Sequence, residues 1–197
     1  MSGRSTFYVT TPIYYVNDVP HIGHAYATLA CDVMARFKRL DGYDVHFLTG
    51  TDEHGQKVEK AAAAAGLTPQ AFTDKVSQSF RDLIGVMKFS PDGFIRTTEQ
   101  RHYTACQALW EKLVAAGDIY LGKYAGWYSV RDEAFYADSE TEVGADGKRR
   151  AGPVGNEVEW VEEPSYFFKL SAWGDRLLEF YDRNPRFIAP ESRRNEI

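Results

Sequence analysis

The sequence predicts an α/β fold built on a parallel sheet, because residues 7–55 read as strand, crossover helix, strand. An apolar, β-forming run, Phe7-Tyr8-Val9-Thr10-Thr11, is closed by Pro12 and reads as a buried strand. Ile22, Tyr26, Leu29, Val33, Phe37 and Leu40 then recur at intervals of three or four, which places them on one face of a long amphipathic helix. That helix stops at Asp41-Gly42, where glycine can take the left-handed cap, and Val45-His46-Phe47-Leu48-Thr49 supplies the parallel partner strand.

The other elements follow in order. Residues 1–6 are polar and expected to fray. A connection holding Asn17, Asp18 and Pro20 joins the first strand to the helix. Glu53 to Ala65 reads as an alanine-rich helix with Asp52 available as its N-cap. Gly66-Leu67-Thr68-Pro69 closes it and opens the next, with Thr68 as cap, Pro69 at the first helical position, and Phe72, Val76, Phe80, Leu83, Ile84 and Met87 as the buried stripe. After the turn Ser90-Pro91-Asp92-Gly93, Phe94-Ile95-Arg96 is expected to be a third strand. Thr98 opens a helix through Ala116, with Leu109, Trp110, Leu113 and Val114 inward and Gly117 stopping it.

Past Gly117 the texture changes to aromatic residues set between turns, which divides the chain into residues 1–117 and 118–197. The second part reads as a small β-rich unit with some helix. Asp146-Gly147 signals a hairpin turn, Phe167, Phe168 and Leu170 a returning strand, and Trp173, Leu177, Leu178 and Tyr181 a helix packed on it. A last helix starts at Pro190-Glu191.

At 197 residues the chain is long enough for one full domain or parts of two. It carries no basic segment followed by an apolar core near its start and no apolar run long enough to span a membrane, as expected of a soluble intracellular enzyme. Cys31 and Cys106 fall on or near apolar helix faces and read as buried free thiols. The net charge of −5 argues mildly against extensive phosphate contact, and the basic clusters Lys148-Arg149-Arg150 and Arg193-Arg194 are short enough to be solvated loops.

Where the first strand hands over to the helix, free backbone N–H groups and the helix dipole offer a site for an anion. His21 and His24 lie there three residues apart, able to share one side of the first turn, and Gly23 between them lets a ligand approach the backbone. Both histidines could equally be ordinary helix-start residues, or join Asp52 and His54 around a metal. Ile13 and Tyr15 are core residues or the wall of a pocket; the amide of Asn17 suits a phosphate or the turn itself. Asp52, after the second strand, can pair with an ammonium group or cap the following helix.

Pro20-His21-Ile22-Gly23-His24 after a strand resembles the HIGH motif of class I aminoacyl-tRNA synthetases. The flanks, Thr11-Pro12-Ile13-Tyr14-Tyr15-Val16-Asn17-Asp18-Val19-Pro20 and Leu48-Thr49-Gly50-Thr51-Asp52-Glu53-His54-Gly55, resemble methionyl-tRNA synthetases in particular. The similarity continues through Phe94-Ile95-Arg96-Thr97-Thr98 and Gly126-Trp127-Tyr128-Ser129-Val130-Arg131-Asp132-Glu133. The motif alone is permissive, whereas the four ordered blocks are specific and cover essentially the whole chain.

The resemblance implies an incomplete Rossmann-like parallel sheet: residues 1–117 as the N-terminal half of the nucleotide-binding catalytic domain, and residues 118–197 as a connective-peptide insertion cut short at its C-terminal end. About three parallel strands is few for such a sheet. The family's second half, its Lys-Met-Ser-Lys-Ser loop and its anticodon domain have no counterpart, so the chain is expected to be a fragment inactive alone. The implied activity is ATP-dependent formation of methionyl-adenylate and transfer to tRNA(Met) in the cytoplasm, with Mg²⁺ accompanying ATP. The implied roles are His21 and His24 in catalysis, Asn17 and Gly23 with them in binding ATP, and Ile13, Tyr15 and Asp52 in binding L-methionine. Many relatives carry a zinc knuckle in the insertion; here Ser129 and Asp132 occupy the C-x-x-C-like spacing without a cysteine, so no structural zinc is expected. The alternatives are another HIGH-bearing synthetase, a nucleotidyltransferase that never meets tRNA, or a non-catalytic nucleotide-binding fragment.

Overall fold

The computed structural model describes residues 3–197. The opening run forms strand β1 (Thr6–Thr10), followed by a two-residue strand β2 (Tyr14–Tyr15), helix α1 (Ile22–Leu40) and the nine-residue strand β3 (Asp44–Asp52). Helices α2 (Gln56–Ala64) and α3 (Pro69–Met87), strand β4 (Gly93–Arg96) and helix α4 (Gln100–Ala115) come next. The chain forms two compact units, one ending at Ala108 and the other spanning Leu109–Ile197. Of the expected fraying segment, Met1 and Ser2 lie outside the described residues. Its last two residues are ordered: Asp44 N donates to Ser5 O at 2.9 Å, and Thr6 opens β1.

The first unit is a parallel sheet centred on β3. β1 pairs with it from Thr6↔Asp44 to Thr10↔Leu48, β2 at Tyr14↔Thr51 and Tyr15↔Asp52, and β4 from Leu48↔Gly93 to Thr51↔Arg96. Leu48 and Thr51 each have a partner on either side, so β1 and β2 share one edge of β3 and β4 takes the other. Gly50 permits the close approach of β4: a Cβ there would lie 2.1 Å from the Ile95 carbonyl oxygen. Helices α1 and α3, with α2 packed on α3, cover one face of this sheet, where Tyr14, Val16, Val58, Val76 and Phe80 form the core and Phe72 and Phe94 pack against it.

Several expectations about burial are corrected. α1 has the expected length, but its apolar stripe faces outward, with Ile22 87% and Leu40 89% exposed. Its buried residues are Thr28, Asp32 and Ala35. Asp32 is held by Ser90 N and Oγ at 2.7 and 2.6 Å and by Arg36 Nε at 2.7 Å. Burial alone would raise its pKa, and these bonds hold it below the ordinary carboxylate value. A small or hydrogen-bonded face fits closely against the sheet, and periodicity alone does not say which face that is. β1 likewise alternates between exposed and half-buried residues instead of being buried throughout. α4 buries none of its residues fully, and Leu109, Trp110 and Val114 are exposed. Met87 on α3 is exposed as well. Cys31 and Cys106 are free thiols, but Cys31 is only half-buried and Cys106 is exposed.

In the second unit, strands β5 (Ile119–Ser129), β6 (Ala134–Tyr136), β7 (Thr141–Val143), β8 (Arg149–Ala151), β9 (Asn156–Glu157) and β10 (Glu159–Phe168) precede helix α5 (Gly174–Arg183). β10 returns antiparallel along β5 from Ile119↔Phe168 to Tyr128↔Glu159, with β6 on the other edge of β5. β7, β8 and β9 make a second small antiparallel sheet whose hairpin turns through Gly147 at φ 78°. Pro190-Glu191 opens a 3₁₀ helix over Glu191–Glu196. The basic cluster 148–150 is matched by acidic neighbours: Lys148 pairs with Glu157, Arg149 with Asp138 and Arg150 with Asp146.

The close approach at Gly50 predicts that Gly50→Ala lowers unfolding free energy by about 1 to 3 kcal/mol. Gly85→Ala, inside α3 with nothing within 4 Å of the added Cβ, should instead raise it by about 0.5 to 1 kcal/mol. Urea unfolding of the two variants measures both.

Candidate active site

The turn out of β1 brings the chain to the N-terminus of α1, where His21 is the N-cap residue with extended backbone (φ −119°, ψ 178°). Its imidazole Nδ1 accepts from Gly23 N at 3.1 Å, and His24 Nδ1 accepts from His21 N at 3.1 Å. This reciprocal pair is a capping box made from two histidines. A backbone N–H can only donate, so each Nδ1 must be unprotonated, and each neutral ring carries its proton on Nε2. The rings stack with centroids 3.9 Å apart. Partial burial first, and then the repulsion that two adjacent charged imidazoles would suffer, lower the His24 pKa from its ordinary 6.5 and favour its neutral ring.

Two side chains that sequence reasoning passed over hold the His24 ring. Tyr14 lies 4.7 Å from it between centroids and Phe80 meets it edge-on at 5.1 Å. The Tyr14 hydroxyl and Thr28 Oγ1 are 2.9 Å apart, and Thr28 Oγ1 donates to the His24 carbonyl at 2.8 Å. Gly23 is required by the cap itself: a Cβ there would stand 2.9 Å from His21 Cε1.

Asp52 ends β3 and is the register neighbour of Tyr15, so the two side chains lie side by side on one face of the sheet. Tyr15 is 51% exposed and Ile13, just before β2, is exposed too, so neither is a core residue. The capping reading of Asp52 is overturned. α2 begins at Gln56, not Glu53, and its N-cap is Gly55, with φ 108° and no side-chain cap. The Asp52 carboxylate is half-buried, and among the described residues no hydrogen bond or ion pair reaches it. Asn17 is exposed in the connection before α1. The site residues therefore form two groups, His21, Gly23 and His24 at the helix start, and Ile13, Tyr15 and Asp52 beside the end of β3. No hydrogen bond, ion pair or ring contact joins them among the described residues. Nor do these residues include a group of three or more His, Cys, Asp or Glu placed to hold a metal ion.

Glu53, next to Asp52, and Arg96, ending β4, form an ion pair at the end of the sheet that the sequence reading missed. Burial alone would raise the Glu53 pKa, but hydrogen bonds from Arg96, Thr98 and Thr51 and the Arg96 charge hold it below the usual carboxylate value. The available signal was weak: a second acid beside Asp52, and an arginine ending an otherwise apolar strand.

Residues 7–197 match the family model described as tRNA synthetases class I (M). The chain belongs to that family. It is 63% identical to the methionine–tRNA ligase of Rickettsia bellii and 58% identical to that of Brucella suis, each over 98% of its length. It spans 37% and 38% of those proteins. Its fold matches the crystal structure of Mycobacterium tuberculosis methionyl-tRNA synthetase bound by methionyl-adenylate, with a TM-score of 0.88 at 55% identity, over 98% of this chain and 38% of that one. The parallel sheet and the HIGH motif at the start of α1 are thus those of a class I synthetase. Among the described residues no helix is long and apolar enough to cross a membrane.

The depressed Glu53 and Asp32 carboxyls carry a sign for stability. Each is ionised in the folded state below the pH at which its unfolded counterpart protonates. Their stabilisation is therefore present above about pH 4 and is lost as pH falls through the folded values. Unfolding free energy should decline from about pH 4 downward, and Glu53→Gln should flatten that decline in urea titrations at stepped pH.

Proposed function

We propose that this chain is the N-terminal part of a methionyl-tRNA synthetase, whose complete form activates L-methionine with ATP and passes the methionyl group to tRNA(Met) in the cytoplasm. The chain covers under two-fifths of its relatives' length, so the activity is assigned to the complete enzyme and not to these residues alone. In the first step a carboxylate oxygen of methionine attacks the α-phosphorus of ATP, and the bond to pyrophosphate breaks. In the second, the terminal adenosine hydroxyl of tRNA attacks the methionyl carbonyl, and AMP leaves.

The observation that carries this reading is the double histidine cap. The cap occupies both Nδ1 atoms and leaves two Nε2–H donors at the positive end of the α1 dipole, an arrangement suited to phosphate oxygens. His21 and His24 donate to those oxygens as charge moves toward pyrophosphate, with Gly23 and Asn17 completing the ATP site. Phosphoryl chemistry of this kind needs positioned charge more than a base. Mg²⁺ enters with the ATP phosphates. The unpartnered Asp52 carboxylate takes the α-ammonium of methionine, and Ile13 and the exposed Tyr15 beside it line the side-chain pocket.

No structural zinc belongs to this proposal. Where a zinc knuckle would need thiolates, Ser129 Oγ donates to Asp132 Oδ2 at 2.9 Å, Asn156 Nδ2 to Asp132 Oδ1 at 2.6 Å, and Tyr136 OH to Asp132 Oδ2 at 3.1 Å. These groups satisfy one another and do not fit a tetrahedral cation.

In the complete enzyme, His24→Ala should slow ATP–pyrophosphate exchange by about 100- to 1000-fold while changing methionine affinity little. Unaltered exchange kinetics would remove the donor role. Asp52→Ala should chiefly weaken methionine binding, read as KM for methionine against KM for ATP, and an unchanged methionine KM would refute its assignment. Exchange driven by a different amino acid would overturn the methionine reading itself.

A further inference from the structure

The first unit buries an ion pair that the proposed chemistry does not use. The Glu53 side chain is fully buried and that of Arg96 is 18% exposed. Arg96 Nε donates to Glu53 Oε1 at 2.7 Å and Arg96 Nη2 to Oε2 at 2.9 Å, a bidentate fork. Thr51 Oγ1 also donates to Oε1 and Thr98 Oγ1 to Oε2, while Arg96 Nη2 reaches Asp74 Oδ1 on α3 at 2.6 Å. The backbone is joined at the same place, with Glu53 N donating to Thr97 Oγ1 at 2.9 Å and Thr97 N to Thr51 O at 3.2 Å.

Asp52 therefore sits between two residues, Thr51 and Glu53, that are both drawn inward and both hydrogen-bonded. Successive side chains of a strand point to opposite faces, so clamping these two turns Asp52 to the other face, beside Tyr15. A buried ion pair gives little net stability over an apolar pair of similar volume. What the fork adds is orientation. We infer that Arg96, acting through Glu53, is a positioning residue for the amino-acid site, fixing the direction in which the unpartnered Asp52 carboxylate meets the substrate ammonium. The inference rests on the role proposed above for Asp52. Arg96 touches no substrate in this scheme.

The test uses the full-length enzyme in ATP–pyrophosphate exchange with five forms: unmodified, Asp52→Ala, Arg96→Ala, Arg96→Lys and Asp52→Ala/Arg96→Ala. Arg96→Lys keeps the charge and loses the fork, so it remains informative if Arg96→Ala fails to fold. Either Arg96 variant should raise methionine KM by about tenfold or more, as small misplacements at a reacting site do, with ATP KM within about twofold of the parent. The Arg96 effect should vanish in the Asp52→Ala background, because a residue acting only through Asp52 has nothing left to position. A purely structural pair would lower the thermal midpoint and leave methionine KM unchanged, or would raise both KM values and act additively with Asp52→Ala; either result overturns the inference. An effect of Asp52→Ala without one of Arg96→Lys sinks the positioning role alone. No effect of Asp52→Ala sinks the Asp52 assignment, and the inference with it.

Discussion

Strand β3 is the constraint on which the first unit depends. It is hydrogen-bonded along both edges, and β1, β2 and β4 all meet the sheet through it. Gly50 lets β4 approach closely just before the strand ends, and the Glu53 carboxylate locks that end to β4 through Arg96. Asp52 owes its direction to this arrangement. A loop carrying the same aspartate would leave its direction open, whereas the strand register sets it beside Tyr15.

The start of α1 shows local structure and chemistry sharing the same atoms. Histidine is not among the preferred N-cap residues, and a good cap is worth only about 1 kcal/mol. A donor aimed at developing phosphate charge is worth about 3 to 4 kcal/mol of barrier. Serine or aspartate would cap this helix at least as well, so capping does not account for two imidazoles. The cap fixes the rings and their tautomers and leaves both Nε2–H groups outside its hydrogen bonds. Tyr14 and Phe80 support the second ring from the core, which ties the orientation of His24 to the packing of α3.

The second unit is tied together internally by a partly buried hydrogen-bond cluster. Asp132 gathers Ser129, Tyr136 and Asn156 around one carboxylate, and Ser129 and Asn156 are buried. Arg149 lies over the Trp127 ring at 4.3 Å while pairing with Asp138, so the basic cluster is built into the unit's own surface.

By itself the sequence determined the strand, helix, strand unit, the cap and proline that open α3, the third strand, the hairpin at Gly147, and the HIGH-like stretch. Each of these depends on residues within about four positions or on a period, which local sequence encodes. Tertiary structure alone decided which face of α1 is buried, that Asp52 leaves the capping of α2 to Gly55, and that Glu53 finds Arg96 43 positions away. An apolar stripe reports that a face is apolar and not what covers it, and an ion pair between two strand ends exists only once those strands are side by side.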